Sequence, residues 1–211
     1  MTKAIEPVDS TVLDRLERSS TAAIADTKHE DVTAMATGIE PVSIDGAVAG
    51  PVRTVTLDPT ALSAPVQTLD AAHEDELIVV DAGSTAEAVW GELLSTYAEE
   101  VGVRGLVTNG AVRDVGEVRD LGFPIFAGGV TPRGPSSNEE AAQNEQVTVG
   151  GALVAPGDVV VGDDTGVVVI ERDVVEEVAA AAEAVAETER EVDRLIREGR
   201  SLEEAFEVAG L

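Results

Sequence analysis

With 211 residues, 44% of them hydrophobic and 2% aromatic, the chain can bury roughly two-thirds of its unfolded surface around Val, Leu, Ile and Ala, which excludes a disordered polymer. Its 41 acidic and 14 basic residues give a formal charge of −27, so no basic stripe exists to hold nucleic acid or an anionic bilayer. It has no cysteine, which excludes disulfides and thiolate chemistry.

Asp9 or Ser10 can cap a first helix carrying Val12, Leu13 and Leu16, and Thr21 can open a second helix running to Lys28. Both read as edge helices or subunit contacts. Gly38, Pro41, Asp45-Gly46 and Gly50-Pro51 mark a turn-rich stretch, after which residues 52–57 alternate like a half-buried strand. A helix is expected over 61–72 and a fully buried strand over 77–81, ending at Ala82-Gly83.

Ser84 and Glu87 have capping-box spacing, so a helical turn is expected there, broken at Trp90-Gly91. The main helix then spans 92–100 and starts with free amides. A strand over 105–108 ends in Asn109-Gly110, a loop runs to Asp114, and a short helix passes through Val118 and Leu121. Residues 123–126 form the next strand. A Gly/Pro/Ser-rich loop over 128–138 is long enough to reach a ligand or a neighbouring subunit.

Strands are expected over 146–149, 158–161 and 166–170. A C-terminal helix over 173–198 places Val174, Val178, Ala182, Val185, Val192 and Ile196 at helical spacing, and Ser201 with Glu204 caps a last short helix. Helices and strands alternate early and strands cluster later, so the expected fold is α/β with a central sandwich or barrel-like core. The whole of 1–211 reads as one domain, with N-terminal helices in 1–45, the core in 46–170 and C-terminal helices in 171–211. No run approaches the roughly 20 apolar residues of a membrane helix and no signal peptide is apparent, so a cytoplasmic protein is expected. Its acidity reads as adaptation to a high-salt cytoplasm, because such a surface repels itself without screening.

Several chemistries fall away. Ser84 lacks the glycine partner of a nucleophile elbow, and the two lysines, Lys3 and Lys28, sit in polar sequence unsuited to an imine. His29 and His73 show no zinc-ligand spacing, and no phosphate loop or dinucleotide fingerprint is present. Hard oxygen ligands remain, suited to Mg²⁺ or Mn²⁺.

Two stretches carry them: Gly91-Glu92-Leu93-Leu94, and Asn109-Gly110-Ala111-Val112-Arg113-Asp114, with twenty residues between Glu92 and Arg113. A fixed cation beside a carboxylate is what an anionic substrate and a divalent metal require. The same residues also admit plain readings. Asp114 with Glu117 could cap a short helix, Arg113 could pair with any surface acid, and Glu92 could simply favour a first helical turn.

The strings Val80-Asp81-Ala82-Gly83, Trp90-Gly91-Glu92-Leu93-Leu94, Gly105 through Asp114, and Gly122-Phe123-Pro124-Ile125-Phe126 resemble the RraA-like family. That family includes the class II 4-hydroxy-4-methyl-2-oxoglutarate aldolases and the regulator of ribonuclease activity A. The similarity continues through Thr131-Pro132, Gly150-Gly151, Pro156-Gly157-Asp158 and Asp164-Thr165-Gly166-Val167.

The resemblance implies a swivelling β/β/α domain assembled as a homotrimer or hexamer, with sites between subunits. It implies a divalent-metal-dependent lyase that releases pyruvate from a small 2-oxo acid and also decarboxylates oxaloacetate. Asp114 would hold the metal, and Arg113 would meet the substrate's ketone and carboxylate. Glu92 would hold a water, and Gly91, Leu93 and Leu94 would receive the carboxylate on backbone amides. Glu92 stands where the aldolases usually carry Asp, Asn109 where many relatives have Asp, and Glu74-Asp75-Glu76 where a Pro-Gly-Asp turn is usual. The ribonuclease regulators typically lack the acid after the Arg, so Asp114 favours the lyase branch over a non-catalytic, protein-binding regulator. No glycine motif for S-adenosylmethionine is present, which ranks a methyltransferase last.

Overall fold

The structure is a computed structural model and describes residues 5–57, 63–83, 87–134 and 142–211. Asp9 caps α1 (Ser10–Arg18), its side chain accepting from the Thr11 amide at 2.8 Å. Ser20, rather than Thr21, caps α2 (Thr21–Asp26) by accepting from the Ala23 amide at 3.0 Å. Thr21 instead donates its amide and hydroxyl to Asp163. Both helices bury one face, with Val12, Leu13, Leu16 and Ile24, within this one chain.

The stretch expected to be turns and helices contributes two strands, β1 (Val32–Ala34) and β2 (Glu40–Ser43). β3 (Val48–Thr56) begins earlier than expected and is buried along almost its whole length. Gly50 lies inside it because a Cβ there would come within 2.6 Å of the Asp75 carbonyl.

There follow α3 (Ser63–Asp70), β4 (Leu77–Asp81), β5 (Ala88–Trp90), α4 (Glu92–Glu100), β6 (Gly105–Val112), α5 (Val115–Leu121) and β7 (Ile125–Val130). The residues before Gly91 are thus a strand, not a helical turn; Ser84, its expected cap, lies outside the described residues. Asn109 and Gly110 lie within β6 at a register shift, and Gly128 and Gly129 within β7. Residues 135–138 of the expected long loop are also outside the described ones.

β8 (Ala142–Gln143), the hairpin β9 (Val147–Val149) and β10 (Ala152–Val154), β11 (Val159–Asp163) and β12 (Gly166–Ile170) complete the strands. A 3-10 turn (Arg172–Val174) leads into α6 (Val175–Arg197), on which Leu195 rather than Ile196 is buried. Ser201 and Glu204 form the full capping box of α7 (Leu202–Ala209).

The strand order is β1-β12-β11-β3-β4-β6-β7-β2, with β5 beside β6 and β8 beside β3. β3, β4, β6 and β7 are parallel, crossing over through α3, α4 and α5, while β2, β11, β12 and β1 pair antiparallel. Alternate residues of β4 serve both faces. Ile78 and Val80 pack with Leu69, Ala98 and Val118 of the crossover helices, and Leu77 and Val79 pack with Val147, Val149 and Val154 of the hairpin. At the antiparallel end, Val159, Val161, Val168 and Ile170 pack against α1, α2 and α6.

The layers are therefore ribbon, sheet and helices, as a β/β/α domain requires. A Cβ on Gly162 of β11 would collide with the Phe126 ring of β7. Three strands separate β11 from β7 in the sheet order, so the sheet curls on itself into a barrel-like core. No helix among the described residues is long and apolar enough to cross a membrane.

Candidate functional site

The ends of β5, β6 and β7 are laced together before any side chain is considered. The Arg113 amide donates to the Trp90 carbonyl at 3.0 Å, the Thr131 amide to the Val112 carbonyl at 3.0 Å, and the Ala88 amide to the Arg133 carbonyl at 2.7 Å. The end of β4 is tied in by Asn109, whose amide group accepts from the Ala82 nitrogen and donates to Asp81, both at 2.7 Å. A Cβ on Gly110 would fall 2.8 Å from that of Ala82, so the Asn-Gly pair serves close strand approach rather than a turn.

Gly91 opens α4 without any side-chain cap, as expected, and the helix N-terminus leaves the Leu93 and Leu94 amides without partners among the described residues. The turn is held from beneath: the Trp90 indole donates to Ser95 Oγ at 2.9 Å, and Ser95 donates to the Gly91 carbonyl at 3.1 Å. Trp90 also stacks on Phe123 with ring centres 6.3 Å apart.

Asp114 departs from its expected plain role. Its backbone is left-handed, with φ 54°, and its side chain caps nothing on α5. The carboxylate instead faces α4, where Oδ2 lies 3.4 Å from the Glu92 nitrogen and 3.3 Å from Arg113 Nε. Arg113 therefore pairs with its own neighbour, not with an arbitrary surface acid. Both side chains are partly exposed, at 41% and 38%. Two glycines leave them room: a Cβ on Gly91 would stand 2.6 Å from Asp114 Oδ2, and one on Gly134 would stand 2.7 Å from Arg113 Nη1.

A cleft of about 240 Å³ opens here, lined by Val66, Ala88, Trp90, Gly91, Leu93, Leu94, Arg113 and Asp114. Five residues singled out from sequence thus share one cleft. Glu92 is exposed in the first turn of α4 and meets the cluster through its backbone nitrogen; its side chain is not in the lining. Sequence reading missed Val66, Ala88 and Trp90. Trp90 carried a signal, as the chain's lone tryptophan directly before the glycine turn.

Among the described residues, no group of three or more His, Asp or Glu side chains could hold a metal ion. The donor set at the cleft is one carboxylate, with Glu92 on the adjoining helix start. That set suits a hard cation that keeps several waters and takes one or two protein carboxylates, the habit of Mg²⁺. It does not suit an all-protein cage.

The Aldolase/RraA description of the RraA-like family matches residues 21–169. An uncharacterized protein of Methanocaldococcus jannaschii is 38% identical over 128 residues, which cover 61% of this chain and 62% of that protein. A Halalkalibacterium halodurans protein named "Putative 4-hydroxy-4-methyl-2-oxoglutarate aldolase" is 32% identical over 67% of this chain and 68% of its own length. The solved structure of Streptomyces coelicolor RraAS2, described as an unusual member of the RNase ES inhibitor RraA protein family, superposes with a TM-score of 0.76. It is 30% identical, over 89% of this chain and 98% of that one. The match of the family description to most of the chain, and the shared fold, lead to one conclusion: this chain belongs to the RraA-like family.

Proposed function

We propose that this chain is a divalent-metal-dependent lyase that cleaves a carbon–carbon bond of a small 2-oxo acid and releases pyruvate. The observation that carries this reading is Asp114. Its left-handed backbone turns a carboxylate away from its own helix and toward Arg113 and the uncapped start of α4. Mg²⁺ or Mn²⁺ on Asp114 would supply a Lewis acid for the substrate's 2-oxo and carboxylate oxygens.

The chain's own groups do the rest. The Leu93 and Leu94 amides receive the substrate carboxylate at the helix start. Arg113 sets a fixed positive charge beside the oxygen on which the enolate develops. A water held near Glu92 takes the proton of the C4 hydroxyl; that oxygen becomes the carbonyl of the departing fragment as the C3–C4 bond breaks. The electron pair of the broken bond passes into the enolate of pyruvate, and a proton returned to C3 completes the product. Oxaloacetate follows the same course with loss of CO₂ and needs no base, so its decarboxylation is a companion activity. Trimers or hexamers with sites between subunits, in the cytoplasm, are part of this proposal.

A second reading, a non-catalytic protein-binding regulator, draws support from the description of the Streptomyces relative as a member of an RNase inhibitor family. The two separate in one assay. Protein in molar salt with Mg²⁺ or Mn²⁺ is expected to release pyruvate, and chelation or Asp114→Ala to abolish the release. Absence of pyruvate release sinks the lyase reading, and activity that survives both treatments rules out the metal-dependent mechanism on Asp114.

A further inference from the structure

We infer that Ser95 is a positioning residue for Asp114: it fixes the peptide group whose N–H faces the carboxylate, and so sets where that carboxylate can hold a metal ion. This inference rests on the metal-dependent lyase reading and deepens it. The Trp90 indole donates to Ser95 Oγ at 2.9 Å, and Ser95 Oγ donates to the Gly91 carbonyl at 3.1 Å. That carbonyl and the Glu92 N–H are the two ends of one planar peptide group, so holding the first aims the second. The N–H end lies 3.4 Å from Asp114 Oδ2, which lies 3.3 Å from Arg113 Nε. Three donors thus run head to tail from a buried indole to an anionic carboxylate, an order in which each bond polarises the next.

The relay lies wholly inside one chain. Trp90 and Ser95 are buried by the chain itself, so no neighbouring subunit is needed to form it. Gly91 has no side chain to restrict its backbone, so hydrogen bonds rather than sterics must hold this peptide. The Ser95 amide supplies the ordinary helical bond to the Gly91 carbonyl at 3.1 Å, and the hydroxyl adds a second bond to the same oxygen. Alanine is the better helix former, and a serine that bonds back to the carbonyl four residues earlier slightly destabilises its helix. Giving the Trp90 N–H an acceptor accounts for the first bond of the relay, but not for its continuation to the peptide that meets Asp114. Thr96 makes a matching bond to the Glu92 carbonyl at 3.1 Å. Its hydroxyl is exposed, however, and the peptide it holds ends in the Leu93 N–H instead of the Glu92 one. Groups that orient a metal ligand typically change metal affinity about ten- to hundredfold when removed.

The test measures Mn²⁺ binding in molar KCl, from the electron paramagnetic resonance of the free ion, beside pyruvate release. Wild-type protein is expected to bind Mn²⁺, Asp114→Ala to abolish that binding, and Ser95→Ala to raise its Kd about tenfold or more. Thr96→Ala, which removes the matching bond from the next peptide, should leave the Kd within about twofold. Ser95→Ala also leaves the buried indole without an acceptor. The double variant Trp90→Phe with Ser95→Ala has no such donor, and it should bind Mn²⁺ as much more weakly than Trp90→Phe alone; it carries the comparison if Ser95→Ala by itself does not fold. Wild-type affinity in Ser95→Ala, no loss between Trp90→Phe and the double variant, or an equal loss in Thr96→Ala overturns the inference. So does wild-type protein whose Mn²⁺ binding is absent or survives Asp114→Ala. Protein that binds Mn²⁺ on Asp114 but releases no pyruvate sinks the lyase reading, while the comparison of Kd values still decides the role of Ser95.

Discussion

Asp114 Oδ2 stands 3.4 Å from the backbone nitrogen of Glu92, joining the starts of two successive helices across the intervening strand. The contact exists because Gly91 has no side chain and because Asp114 accepts a left-handed backbone. Each condition can be removed separately.

Gly91→Ala tests the first. The backbone at Gly91 is extended, with φ −169°, so alanine fits it without strain, but its Cβ would stand 2.6 Å from Asp114 Oδ2. The expected result is a normally folded protein by circular dichroism whose pyruvate release falls at least tenfold. Wild-type activity in this variant would mean that the carboxylate does not work from its observed place.

Asp114→Ala strains the second, while Asp114→Asn keeps it and removes only the charge. Asparagine tolerates the left-handed region nearly as well as aspartate, so the melting temperature should hardly move while pyruvate release drops by two orders of magnitude or more. Asp114→Ala should lose the same activity and also about 1 kcal/mol of stability, because its Cβ gains no local hydrogen bond to offset the strain. Thermal melts of the two variants, run side by side, separate chemistry from backbone cost.

Away from the cleft, Arg53 and Glu76 form a buried ion pair at 2.7 and 2.9 Å, and the His73 amide adds a third bond to the carboxylate at 3.2 Å. Arg53 Nη1 has no partner, so the pair is incompletely satisfied. Glu76→Gln should cost about 3–5 kcal/mol by leaving the guanidinium buried and uncompensated. The double variant Arg53→Met with Glu76→Leu should lose much less than the single ones summed. Urea denaturation in high salt measures both, and additivity would show that the pair is not coupled.

Asp163 links stability to pH. Burial works to raise its carboxyl, but the amide and hydroxyl of Thr21, with the amides of Thr165 and Gly166, hold it below its ordinary value. A carboxyl depressed in the folded state contributes stability that is present above the unfolded value, near pH ~4, and is lost as pH falls through the folded one. Asp163→Asn should therefore lower the melting temperature at pH 7 and narrow the gap between pH 7 and pH 3. An unchanged gap would remove Asp163 from the acid response.

Net charge makes a separate prediction. Raising salt from 0.1 M to 1 M shortens the Debye length from about 10 to about 3 Å, so a chain of charge −27 should melt at higher temperature and resist dissociation as KCl increases. A melting temperature independent of KCl over that range would contradict adaptation to high salt.

Some helix starts were legible because capping is local chemistry, though Ser20 takes the cap expected of Thr21 and Asp114 caps nothing. Asp9, the Ser201 and Glu204 box, and the uncapped Gly91 all behave as their neighbours in sequence dictate. Strands built on glycine and proline were not legible, because what determines them lies elsewhere in the chain. Gly50 is held in β3 by the Asp75 carbonyl, Gly110 in β6 by Ala82, and Gly128 in β7 by the Asn109 carbonyl. In sequence each reads as a turn. The cleft followed the same division: the residues flanking Gly91 and Arg113 announced themselves by type and spacing. Val66 joined them only when α3 packed beside α4, and no local pattern encodes that meeting.

Trp90 gives the molecule an optical property. It is the sole indole of the chain, it lines the cleft, and its environment is set by Ser95 and Phe123. All tryptophan emission therefore originates at the glycine turn. A fluorescence titration reads cleft occupancy with no background from other indoles, and a denaturation curve followed at the same wavelength reports the loosening of that turn in particular. Where this curve separates from one followed by far-ultraviolet dichroism, the site comes apart at a different point from the fold.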